Sequence, residues 1–122
     1  MTVLIKEAAD EVKAALEALA RNARTSGDVA DRLEAKDCRG LRRLGFACPV
    51  STYLESVLTV RVKLMVDRKT VFIREEWHSQ ETAKVRIPPV IQSFIKDFDE
   101  GRFAALSLGG RIREQRADVM GG

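Results

Sequence analysis

Leu58-Thr59-Val60-Arg61-Val62-Lys63-Leu64-Met65-Val66 is the stretch that decides the fold. Leu58, Val60, Val62, Leu64 and Val66 fall on one side of an extended chain, and Thr59, Arg61, Lys63 and Met65 on the other. That period of two is the mark of a strand with one buried face. Asp67-Arg68-Lys69-Thr70 has the composition of a hairpin turn, so Val71 to about Trp77 is expected to return antiparallel. Ala83, Val85 and Ile87 then alternate with Lys84 and Arg86, which predicts a third short strand.

Helical spacing surrounds this sheet. Leu4, Ala8, Val12, Leu16, Leu19 and Ala20 predict a helix over residues 2–24, with Glu7, Asp10 and Glu11 early and Arg21 and Arg24 late, as the helix dipole favours. After Thr25-Ser26-Gly27, a second helix capped by Ser26 or Asp28 reaches about Lys36 and buries Val29, Ala30 and Leu33. Residues 37–47, with Gly40 and Gly45, read as one helical turn or an ordered loop. Pro49 suits a first helical turn because its missing N–H has no partner there; Val50, Tyr53, Leu54 and Val57 supply the buried stripe of a helix at 49–57. Pro88-Pro89 stops the last strand and starts a helix at 89–100 along Val90, Ile91, Phe94, Ile95 and Phe98, with Gly101 as its C-cap. Phe103, Leu106 and Leu108 are expected to dock on the core. The expectation is one α+β domain over 1–108, a small antiparallel sheet of two to three strands against three to four helices, with helices 2–24, 49–57 and 89–100 covering one face and a disordered tail at 109–122.

Composition narrows the function classes. The chain has 122 residues, 45% hydrophobic and 32% charged, enough for one modest core. No apolar run reaches the roughly 18 to 20 residues of a bilayer span, and charges at Lys6, Glu7, Asp10 and Glu11 interrupt any signal-peptide core. Two cysteines make no disulfide framework. The expected setting is a bacterial cytoplasm, with no membrane contact.

The order of these pieces resembles short uncharacterised proteins of actinobacteria. The likeness lies in Leu33 to Gly40, Cys48-Pro49 with Tyr53-Leu54, a β segment, and Phe94 followed by Phe98-Asp99-x-Gly101, roughly over residues 28–106. It implies a shared small α+β domain. It brings no catalytic residue, because those proteins have no established activity.

Cys48, at a helix entry, is the candidate thiolate, since a helix N-terminus lowers a thiol pKa. A Cys-Pro pair can also serve as a thiolate haem ligand. Both readings rest on two residues, and burial at a helix start explains them as well. His78 is the single histidine and could pair with Cys48, but no orienting group or oxyanion hole accompanies it. Cys38, Cys48 and His78 lack zinc-ligand spacing, and Glu75 and Glu76 would point to opposite faces of a strand. No catalytic residue, metal or cofactor is assigned. Asp97, Asp99 and Glu100 form an acidic rim at an unfavourable helix end.

Charge is the remaining signal. Lys36, Arg39, Arg42 and Arg43 oppose only Asp37, while Arg61, Lys63, Arg68 and Lys69 oppose only Asp67. The leading reading is a non-enzymatic protein-interaction or regulatory protein, with an unidentified protein partner and self-association left open. The alternative is a nucleic-acid-binding protein of winged-helix type using those eight cations. Against it, the helix at 49–57 has no Arg, Lys, Asn or Gln to read bases. The two basic clusters are therefore expected to diverge.

Overall fold

A computed structural model describes residues 2–76 and 82–108. Among these, the elements run α1 (Thr2–Ala20), α2 (Ser26–Ala35), α3 (Pro49–Val57), β1 (Lys63–Val66), β2 (Thr70–Arg74), β3 (Thr82–Arg86) and α4 (Pro89–Asp99), then a 3-10 turn at Ala104–Leu106. The fold is the small α+β arrangement that the patterning predicts. No helix among the described residues is long and apolar enough to cross a membrane. Trp77, His78 and the tail at 109–122 lie outside the described residues, as do the readings made of them.

The sheet is antiparallel in the order β1-β2-β3. Leu64 pairs with Ile73, Val66 with Val71, and Val71 with Val85, so these side chains share one face. All five are buried. α1 lies across β3 and β2, α3 beside β1, and α4 packs chiefly on α2. The expected layer therefore needs one correction: α2, left out of it, mediates much of the contact made by α4. Phe94 and Phe98 stack at 5.8 Å, Phe103 closes on Phe94 at 5.5 Å, and Leu106 is buried beside them, whereas Leu108 is exposed.

The decisive stretch is only half strand. Pairing starts at Lys63, five residues later than its alternation predicts. Leu58 caps α3 through its N–H to the Leu54 carbonyl. Thr59 then donates its backbone N–H to Glu11 of α1 at 2.8 Å and its hydroxyl to the same carboxylate. A ladder donor is thus taken by a helix side chain. Leu58, Val60 and Val62 remain half-buried against the core, which accounts for the alternation without a strand. The partner strand also ends early, because Arg74 is its last paired residue and Glu75 and Glu76 form a bend.

Helix ends differ in detail. α1 stops at Ala20, with Asn22 in the left-handed region at φ 60°, a conformation asparagine tolerates. Arg21 and Arg24 consequently lie past the helix rather than in its last turn. Arg32 of α2 donates to the Leu19 carbonyl at 2.7 Å, satisfying an acceptor that the ended helix leaves open. The N-cap of α2 is Thr25 rather than Ser26 or Asp28: Thr25 accepts from the Asp28 N–H, and the Asp28 side chain accepts from Thr25 in return. This capping box satisfies two donors at once.

Residues 37–47 form an ordered loop. Gly40 donates to the Leu106 carbonyl and accepts from Leu108, both at 2.9 Å, while Leu41 donates to Ala47. A Cβ on Gly40 would stand 2.3 Å from the Ala47 carbonyl oxygen, so the backbones can meet only at glycine. The Gly45 carbonyl accepts from Val66 at 2.9 Å and fastens the loop to the end of β1.

Candidate functional site

Both cysteines are free and buried. Cys48 is the N-cap of α3, and its sulfur accepts from the Ser51 N–H at 3.4 Å. Burial raises its thiol pKa, outweighing the lowering by that bond. Cys38 is likewise raised by desolvation. Cys48 is thus a capping residue whose surroundings disfavour the thiolate. No group of three or more His, Cys, Asp or Glu side chains placed to hold a metal occurs among the described residues.

Tyr53, Leu54, Phe94, Phe98, Asp99 and Gly101 all hold the fold. Tyr53 donates its hydroxyl to the Ala15 carbonyl at 3.1 Å, and Leu54, Phe94 and Phe98 are buried. Gly101 adopts φ 99°, the left-handed conformation of a helix stop. Asp99 accepts from the backbone N–H of Arg43 at 2.9 Å, fixing a residue with φ 63°. Asp97 accepts from Ser26 at 2.6 Å and pairs with Arg102 at 2.9 Å. Two carboxylates of the acidic rim are therefore structural ties.

The first basic cluster disperses into such local contacts. Lys36 lies over the Tyr53 ring, Arg39 pairs with Asp37 at 2.8 Å, and Arg42 approaches Gly101. Arg43 meets Arg68 of the second cluster in a hollow of about 290 Å³ above Cys48, but Asp67 and Asp99 line the same hollow and balance the charge. Arg61 and Lys63 both line a larger hollow of about 620 Å³ with Glu55, Glu75 and Glu76. The two glutamates, expected on opposite faces of a strand, both face this hollow because β2 has already ended. Lys69 sits in the β1–β2 turn, its carbonyl accepting from Ile87 at 2.9 Å. Of the eight candidate cations, Lys63 alone stands on the sheet.

Lys63 has company that sequence adjacency did not reveal. The register places Lys63 beside Arg74, Met65 beside Phe72, Phe72 beside Lys84, and Thr70 beside Arg86. All four strand cations, Lys63, Arg74, Lys84 and Arg86, therefore fall on the face away from the helices. No Asp or Glu occurs on the strands among the described residues. At the centre, Met65 is exposed and Phe72 half-buried, forming an apolar strip inside the ring of charge. Lys63, Met65, Phe72 and Arg74 line a mostly apolar hollow of about 350 Å³, the low end of ligand-pocket size. Helix α3, by contrast, exposes Glu55, Ser56 and Val57 and offers no base reader.

No protein-family model matches this sequence, and no curated protein or solved structure matches it either.

Proposed function

We propose that this protein acts by binding rather than by catalysis, as a small accessory or regulatory protein whose contact surface is the open face of the sheet. One observation carries the reading: Lys63, Lys84 and Arg86 share that face around Met65 and Phe72, with no carboxylate on the strands among the described residues. Such a surface attracts a polyanion and repels basic partners. The apolar strip supplies burial that charge alone does not. Lys84 and Arg86 also guard an edge strand against pairing with another chain, but that role needs neither Lys63 nor an exposed Met65.

The test is fluorescence-detected binding of two polyanions, heparin and polyglutamate, over a salt series. The wild-type chain should bind at least one of them, with affinity falling as salt rises. A Lys84→Glu/Arg86→Glu variant should lose that binding, while Arg42→Glu/Arg43→Glu should retain it. Loss in the second variant alone would move the surface to the loop and refute the proposal.

A further inference from the structure

Resting on that reading, we infer that the polyanion is a single-stranded nucleic acid whose base stacks on Phe72 while Lys63, Lys84 and Arg86 meet its phosphates. Two features of the face favour this ligand over other polyanions. The face is the open side of a three-stranded sheet, roughly 10 Å across its strands and 15 Å along them, with a hollow of about 350 Å³ at Phe72. A duplex buries its bases and shows a groove that asks for a helix or narrow ribbon, whereas single strands expose base faces to platforms of this kind.

The second feature is Phe72 itself. It lies on the central strand, with Met65 on one side and Lys84 on the other. An acidic peptide that drew Lys84 from its place over the ring would leave the π face with nothing matched to it. A nucleotide uses both the cation and the ring, and base–aromatic stacking tolerates any sequence because every base has a π face.

The experiment uses fluorescence anisotropy on the 122-residue chain with three labelled probes: an oligouridine of about twelve nucleotides, a duplex of matching length, and polyglutamate. The wild type should bind the single strand most tightly. Three phosphate contacts give a slope of log K against log salt near roughly −2, at about −0.7 per contact. Phe72→Leu should weaken single-strand binding roughly tenfold, with polyglutamate binding kept within about twofold and Phe72→Tyr restoring the wild-type value. Equal binding of duplex and single strand, or an unchanged Phe72→Leu, overturns the stacking inference and leaves the polyanion surface standing. Tighter binding of polyglutamate does the same in favour of an acidic protein partner. If neither these probes nor heparin binds, both readings fall. The comparison of probes on wild type decides the matter even where Phe72→Leu fails to fold.

Discussion

Lys84 holds its ammonium 5.7 Å from the centroid of the Phe72 ring, its register partner across the β2–β3 pair. A cation over an aromatic face at an exposed site contributes about 0.5–1 kcal/mol. That is small enough for a ligand to displace. On the proposed nucleic-acid reading, a base would take the ring face and the flexible lysine would turn its charge to the adjacent phosphate.

Glu11 and Thr59 provide a local test of the fold. Two donors of Thr59 end on one exposed carboxylate, which holds the 58–62 segment against α1. Glu11→Ala should leave the strands intact and accelerate hydrogen exchange at the Thr59 amide. Unchanged protection there would mean that the segment is held by its half-buried apolar residues alone.

Two glycines should respond in opposite senses to alanine. Gly27 lies in the first turn of α2, where a new Cβ comes no closer than 3.5 Å to the Thr25 hydroxyl, so Gly27→Ala should stabilise by about 0.5–1 kcal/mol. Gly40→Ala would press its Cβ into the backbone of residues 47–49 and should destabilise by about 1–3 kcal/mol. Denaturant midpoints of the two variants check both signs.

Thiol chemistry should be silent in the native state. Burial pushes both Cys38 and Cys48 upward, so a thiol reagent at neutral pH should label neither until denaturant is added. Cys48→Ser should keep polyanion binding unchanged. Fast native labelling of Cys48 would contradict its assignment as a buried cap.

Acid sensitivity should enter through the capping box. The Asp28 carboxylate lies below its ordinary value of 3.8, chiefly because the Arg24 and Thr25 backbone N–H groups donate to it. A lowered folded pKa means that the unfolded chain takes up the proton first. The stabilisation is therefore complete above the ordinary value and is lost as pH falls through the folded one. The melting-temperature gap between wild type and Asp28→Asn should be full at neutral pH and close as pH falls below the ordinary carboxylate value of 3.8. A gap independent of pH would assign the capping to Thr25 alone.

Periodicity carried most of the fold and little of the site. The strand period, the prolines at the helix starts and the stripe of α4 were legible because each is a local steric or burial rule. The lack of a strand at 58–62 was not, since Glu11, far away in sequence, takes the donor that pairing would need. Grouping cations by sequence proximity failed for a similar reason. Arg39 and Arg43 lie four residues apart, yet one is paired with Asp37 and the other is bound through its backbone to Asp99. The signal for the sheet face was present in the alternation of Lys84 and Arg86 with Ala83 and Val85. Joining it to Lys63 and Phe72 required the antiparallel register, which fixes the cross-strand rows.

The most direct test of the central claim is an NMR titration of the labelled chain with whichever polyanion binds it most tightly. The largest amide shifts should fall on Lys63, Met65, Phe72, Arg74 and Lys84, with the loop at 36–43 nearly still. Shifts centred on Arg42, Arg43 and Arg68, or on the hollow around Arg61, would contradict the assignment of the sheet as the binding surface.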